Sequence, residues 1–117
     1  MYKRHEIGKI GEEAATNYLK KQGYNVIERN FSCKQGEIDI ICLDKKELVF
    51  VEVKTRTSIE FGKPIEAVNN IKQKHIYKAV SYYVYKRHLE NEFIRIDAIE
   101  VYIKKTKIYI NHIKQII

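Results

Sequence analysis

The chain has 117 residues, 44% hydrophobic and 32% charged, with a formal net charge of +7 and two cysteines. That length fits a single domain over residues 1–117, and no apolar run approaches the roughly 18 residues of a membrane span. The N-terminus MYKRHEIGKIGEE lacks the apolar segment of a signal peptide, so a cytoplasmic protein without membrane association is expected.

From Tyr2 to Gln22, the residues Ile7, Ile10, Ala14, Ala15, Tyr18 and Leu19 recur at helical spacing, and Gly23 is placed to end the helix. Gly8 and Gly11 would each cost about 1 kcal/mol against alanine inside that helix, which implies close approach to another element or a later start. Tyr24–Phe31 reads as a strand with Tyr24, Val26 and Ile27 buried, followed by a polar connection, Ser32–Gln35, that holds Cys33. Two alternating apolar runs, Gly36–Leu43 and Leu48–Thr55, flank Asp44-Lys45-Lys46-Glu47 and read as a hairpin. Both runs are apolar on both faces near the turn, so the hairpin should be central in a sheet, with Cys42 packed as a small hydrophobe.

Thr57–Pro64 is a loop, and Ile65–Arg87 is a long helix whose stripe holds Ile65, Val68, Ile71, Ile76, Ala79, Val80 and Tyr83. Its other positions carry Lys72, Lys74, His75, Lys78, Lys86 and Arg87 between Tyr77, Tyr82 and Tyr85. Such a helix either tracks a phosphate backbone with rings stacked on exposed bases or is a solvated face. Glu92–Tyr102 alternates again, and since it follows a crossover helix it should lie parallel to a hairpin strand, with Arg95 and Asp97 as a structural pair near the site's edge. Ile108–Ile117 gives a last strand, with Lys104, Lys105 and Lys107 in the preceding turn as further phosphate contacts. The expected architecture is α/β, a mixed four- to five-stranded sheet flanked by an N-terminal helix and a long crossover helix.

Chemistry concentrates in the hairpin. Alternation puts Glu37, Asp39, Ile41 and Leu43 on one face of the first strand, with Ile38, Ile40 and Cys42 on the other. On the second strand Glu52 and Lys54 share a face with Leu48 and Phe50, while Val49, Val51 and Val53 oppose them. Pairing Leu43 with Leu48 across the turn sets Asp39 opposite Glu52 and Glu37 opposite Lys54. Directly opposed carboxylates repel, and two that are half-buried need a proton or a cation between them. A divalent ion with oxygen ligands answers that need, and Mg²⁺ takes one or two carboxylates plus phosphate and water. The other reading is a cross-strand salt-bridge ladder on a solvated face, but these charges interrupt faces that are otherwise apolar.

The two cysteines lack C-x-x-C spacing, which argues against a disulfide framework or a zinc site. His5, His75, His88 and His112 have no metal-ligand spacing and read as surface or helix-packing residues. No glycine-rich phosphate loop and no nucleophile motif is present. The basic balance suits a polyanion such as nucleic acid, although solubility alone also accounts for it.

Asp39 followed by Glu52-Val53-Lys54 resembles the PD-(D/E)xK nuclease motif. Gly36-Glu37-Ile38-Asp39, Phe50-Val51-Glu52-Val53-Lys54-Thr55-Arg56 and Gly8-x-x-Gly11-Glu12-x-x-Ala15 are closer still to the YraN-like family, small bacterial proteins similar to Holliday-junction resolvases. The likeness continues through Gly23-Tyr24, Asn30, Gly62, Ala67-Val68, Lys72, Ala79, Tyr82 and Arg95-Ile96-Asp97, and Ile96 departs from it where an aromatic residue is expected. The resemblance implies a restriction-endonuclease-like core and an endonuclease of DNA, with branched DNA as a substrate and a homodimer by analogy. It implies Mg²⁺ or Mn²⁺ held by Asp39, Glu52 and the carbonyl of Val53, Lys54 acting on water or phosphate, and Glu12 and Glu37 as further ligands or supporting groups. Arg56, Lys72, Lys74 and Lys78 would hold the nucleic acid. Two other classes fit the same residues: a nucleic-acid-binding module on a nuclease scaffold without cleavage, and a protein-interaction domain.

Overall fold

The computed structural model describes residues 4–57 and 70–116. In order these form α1 (Arg4–Lys21), β1 (Asn25–Cys33), β2 (Gly36–Asp44), β3 (Glu47–Thr57), α2 (Asn70–Lys86), β4 (Phe93–Lys104) and β5 (Lys107–Ile113). The strands make one five-stranded mixed sheet in sequence order, antiparallel except where β4 runs parallel to β3. This is the restriction-endonuclease-like α/β architecture expected from the sequence. The expected helical residues Ile65 to Asn69, and the loop between Thr57 and that helix, lie outside the described residues. No helix among the described residues is long and apolar enough to cross a membrane.

Helix α1 ends as its sequence requires. Gly23 adopts φ of 94°, the Tyr24 N–H bonds the carbonyl of Leu19, and the Gly23 N–H bonds that of Lys20, which turns the chain out of the helix and into β1. Ala15 and Leu19 of α1 pack with Tyr24, Ile40, Cys42, Val49, Val51, Ile99 and Val101 over one face of the sheet. Ile76, Ala79, Val80 and Tyr83 of α2 pack with Ile38, Ile41, Leu48, Phe50 and Ile96 over the other. A sheet covered on both faces explains why β2 and β3 read as nearly continuous apolar runs.

The two helical glycines have different reasons. A Cβ on Gly8 would meet nothing, whereas one on Gly11 would overlap the hydroxyl and Cβ of Thr55 on β3. Gly11 is therefore the point where α1 presses onto the sheet, and the helix starts well before it.

The hairpin register is as expected from Asp44↔Glu47 through Leu43↔Leu48 to Ile40↔Val51, and Lys45 takes φ of 57° in the turn. Two details of β1 differ. The register shifts between Val26 and Glu28, which turns Ile27 outward at 48% exposure, and the strand runs through Cys33, leaving only Lys34-Gln35 as the turn.

Arg95 and Asp97 do pair, with Nε to Oδ1 at 2.9 Å, but in a larger buried network away from the site's edge. The Arg95 guanidinium also donates to Asp44, Glu47 and the Tyr24 hydroxyl, around the β2–β3 turn. Asp97 Oδ2 lies 2.7 Å from His112 Nε2, His112 Nδ1 lies 3.0 Å from the Tyr18 hydroxyl, and the Gln115 N–H caps Asp97 Oδ1. His112 is thus not a surface residue; it packs against Tyr18 of α1, as a helix-packing residue would, and also joins a buried ion-pair network. Burial works against the charge on Asp97, yet the hydrogen bonds from His112, Arg95 and Gln115 outweigh it and hold the carboxyl below its usual value.

Gly11→Ala should lower the urea midpoint by the equivalent of about 1–3 kcal/mol, because Thr55 must move, while Gly8→Ala should be neutral or stabilising. Asp97→Asn should cost about 3–5 kcal/mol at neutral pH by leaving the Arg95 charge under-compensated. A depressed carboxylate stabilises above its unfolded value of about 3.9 and loses that contribution as pH falls through the folded value. Chemical unfolding between pH 7 and pH 2 should therefore show a smaller acid-induced loss in Asp97→Asn than in the parent.

Candidate active-site cleft

Side-chain alternation reverses within the β1–β2 pair. Ile40 packs under α1 and Ile38, two residues earlier on the same strand, packs under α2. The partner strand does the same: Arg29 reaches Glu13 of α1, whereas Phe31 lies with Ile38 against α2. Paired residues run Arg29↔Ile40 and then Phe31↔Ile38, so the reversal falls at Asn30 and Asp39. Asn30 has φ of 56°, a left-handed conformation that asparagine tolerates better than most L-residues. The sequence expectation of Ile38, Ile40 and Cys42 on one face fails at this step.

The β2–β3 register ends at Ile40↔Val51, so Asp39 and Glu52 are not a continuing ladder pair. Asp39 instead uses its side chain across the gap, where Oδ2 accepts the Val53 N–H at 2.7 Å. Between α1 and the two parting strands opens a cleft of about 530 Å³, lined by Ile7, Gly8, Glu12, Asp39, Val53, Lys54, Thr55 and Thr57. Gly8, with no side chain to fill the space, forms part of its wall.

Four of the expected residues, Glu12, Asp39, Val53 and Lys54, therefore meet in one place. The Glu12 carboxyl sits above its ordinary value because burial disfavours its charge and Asp39 repels it; Arg29 and a hydrogen bond from Asn30 pull the other way, and Glu37 adds a weaker repulsion. Glu37 itself is exposed and does not line the cleft. Glu52 is half-buried and does not itself line the cleft, although strand alternation puts it on the same side of β3 as Lys54, which does. Arg56 is 7% exposed and its Nε lies 3.2 Å from the fully buried Glu100, so the guanidinium expected on the nucleic-acid surface is a core ion pair. Lys78 is exposed on α2, while the side chains of Lys72 and Lys74 lie outside the described residues.

Arg29 and Asn30 join the site although charge and alternation did not single them out. The Arg29 Nε is buried and has no hydrogen-bond partner among the described residues, while its Nη1 holds Glu13 at 3.3 Å. Asn30 carried two signals, its place in the family likeness and its residue type, an asparagine inside a strand pattern, where it is disfavoured unless the backbone needs a left-handed step.

The cleft donors are all oxygen atoms, which suits a hard divalent cation. Among the described residues no group of three or more His, Cys, Asp and Glu side chains is placed to hold a metal ion. The donor set thus fits an ion that takes two carboxylates and fills its remaining positions with water and substrate oxygen, and does not fit a closed structural zinc site.

A family model and the similar curated proteins agree on one family. The model of "Uncharacterised protein family UPF0102" matches residues 11–101. A UPF0102 protein of Caldicellulosiruptor saccharolyticus is 45% identical over 113 residues, covering 95% of this chain and 96% of its own. One from Caldanaerobacter subterraneus subsp. tengcongensis is 45% identical over 95% of this chain and 91% of its own, and one from Clostridium botulinum 50% identical over 86% and 82%. A solved structure titled "Crystal structure of SSO0001" aligns with 93% of this chain at 20% identity and a TM-score of 0.38, and this chain spans half of its length. On the family match and these relatives, the chain belongs to family UPF0102, the YraN family, which is PD-(D/E)xK nuclease-like.

Proposed function

We propose that the protein is a metal-dependent endonuclease that hydrolyses phosphodiester bonds of DNA in the cleft between α1 and the β2–β3 hairpin. The observation that carries this reading is the convergence of Glu12 from a helix, Asp39 from one strand and Lys54 from the next on one cleft. A carboxylate whose proton affinity is raised by burial and by a second carboxylate wants a cation, and a lysine beside them wants an anion; a phosphodiester with a divalent ion supplies both.

Glu12 and Asp39 would hold Mg²⁺ or Mn²⁺, with the carbonyl of Val53 and, by its place in the motif, Glu52 as further donors. When bound, such an ion polarises a phosphoryl oxygen and lowers the pKa of an attacking water. The remaining work falls to the chain. Lys54 donates to a phosphate oxygen and stabilises the charge that develops there. Arg29 and Asn30 orient Glu12, the first by charge and the second by a hydrogen bond. Glu37, outside the cleft, contributes only to the local negative potential. Lys78 on the exposed face of α2 contacts backbone phosphate without reading sequence.

A second reading has its own support. Asp39 satisfies the Val53 N–H, a structural duty that a scaffold without cleavage would also need. A binding module would retain DNA in EDTA and show no cleavage with any divalent ion.

Asp39→Asn keeps an oxygen for Val53 while removing the charge, so it should fold normally and lose about 10²-fold or more in Mg²⁺- or Mn²⁺-dependent cleavage of linear, flapped and four-way DNA. Glu12→Gln, Glu52→Gln and Lys54→Ala should each lose activity on the same scale, and undiminished cutting by Asp39→Asn would refute the assignment. Carboxyl-carbon NMR gives an independent check: Glu12 should titrate at higher pH than an ordinary glutamate in the parent and move downward in Asp39→Asn, because a repelling charge has gone.

A further inference from the structure

On the face of the sheet opposite the cleft, a groove of about 590 Å³ runs between the tip of the β1–β2 hairpin and the C-terminal half of α2. Phe31 and Tyr82 stack across it with ring centroids 6.5 Å apart and planes 30° from parallel, and Phe31 meets Tyr83 edge-on at 5.0 Å. Lys34 from the hairpin tip, Lys86 at the end of α2 and Arg87 just after it stand around these rings. The Arg87 guanidinium lies 4.4 Å over the Tyr83 ring and pairs with Glu28 at 3.3 Å, so that nearby acid is neutralised. Lys34 and Lys86 are exposed and make no ion pair among the described residues. Lys78, Tyr82 and Lys86 follow at four-residue intervals, so they form one stripe along α2, with Tyr85, 70% exposed, beside it.

We infer that this groove binds single-stranded nucleic acid, seating unpaired bases against Phe31 and Tyr82 and the flanking phosphates on Lys34, Lys86 and Lys78. Half-buried rings edged with cations match the alternation of flat base and charged phosphate along one strand, and stacking needs a base face that a duplex hides. An acidic peptide would use the lysines and leave the rings without a partner. Cleft and groove lie on opposite faces of the sheet at neighbouring hairpins that share β2, and β1 is an edge of the sheet, so one polymer can pass around that edge. Resting on the proposed function, this names the substrate class: DNA with an unpaired segment next to the strand to be cut.

The two cysteines provide the test. Cys33 lines the groove and is partly exposed, whereas Cys42 is fully buried with its thiol pushed up to about 12 by burial, so a neutral maleimide should label Cys33 alone. In EDTA, a short oligothymidylate at concentrations that saturate fluorescence anisotropy should slow Cys33 labelling about fivefold or more in the parent and equally in Asp39→Asn. Tyr82→Leu should weaken oligothymidylate binding by at least about fivefold, as loss of one stacked base requires. Lys34→Ala with Lys86→Ala should lower the slope of log affinity against log salt by about 1.4, as two lost single-strand phosphate contacts require. Saturating oligothymidylate that leaves Cys33 labelling unchanged overturns the inference, as does equal protection by oligoglutamate. Protection without cleavage would remove the proposed enzyme and leave the groove; cleavage without protection would do the reverse.

Discussion

A sheet covered on both faces allows each strand residue one of two destinations, and the cleft depends on the place where both strands of one pair reverse that choice together. At Asn30 and Asp39 both strands of the β1–β2 pair change phase together, so Phe31 still faces Ile38 while both have crossed to the α2 side. A reversal in one strand alone would drive apolar side chains into solvent and polar ones into the core. The left-handed backbone of Asn30 permits the step, and Asp39 compensates for the backbone partner that Val53 loses where β2 and β3 part. One local event therefore opens the cleft under α1 and carries the hairpin tip over to α2, where the aromatic groove lies.

Polar burial is concentrated in two networks on either side of that event. Arg95 ties Asp44, Glu47, Tyr24 and Asp97 together around the β2–β3 turn, and Asp97 continues through His112 to Tyr18. Glu100, with no exposure, is held by Arg56, the Tyr102 hydroxyl and the Asn111 amide. Pairs of this kind often stabilise less than apolar replacements would, but removing one partner strands a charge in the core. The cleft carboxylates differ in kind. Glu12 is only partly buried and is repelled by Asp39, so its neighbourhood remains electrostatically unsatisfied where the two networks are closed.

Where periodicity is unbroken, the sequence was sufficient. The hairpin register from Asp44 to Ile40, the crossover that makes β4 parallel to β3, the stripe Ile76–Ala79–Val80–Tyr83 and the pairing of Arg95 with Asp97 all follow from alternation, helical spacing and chain handedness. What could not be read arises where a local pattern yields to something non-local. The phase reversal at Asp39 follows from a backbone angle on another strand, so extrapolating the hairpin register placed Glu52 directly across from Asp39. Arg56 looked like a surface cation because its partner, Glu100, is 44 residues away on a neighbouring strand. His112 carried no motif spacing because its partners, Tyr18 and Asp97, come from opposite ends of the chain. Glu12, by contrast, entered only through family resemblance, and its place in the cleft follows from Gly11, which lets α1 approach Thr55.

Charge at long range and charge at the site have opposite signs, and that separates two stages of any encounter with a polyanion. With 22 basic and 15 acidic residues, the molecule attracts phosphate over distances of about a Debye length, 8–10 Å at moderate salt. Inside the cleft Glu12, Asp39 and the nearby Glu37 reverse that sign, and Lys54 and Arg29 only partly offset them. A phosphodiester drawn to the surface therefore gains nothing by entering the cleft until the carboxylates are neutralised, by protons at low pH or by a cation near neutrality. Lys34, Lys78 and Lys86 on the other face have no such opposition. Under the proposed reading, nucleic acid would hold to the α2 face without a divalent ion and engage the cleft once protons or a cation neutralise its carboxylates, so that binding and positioning for reaction would be set by different residues.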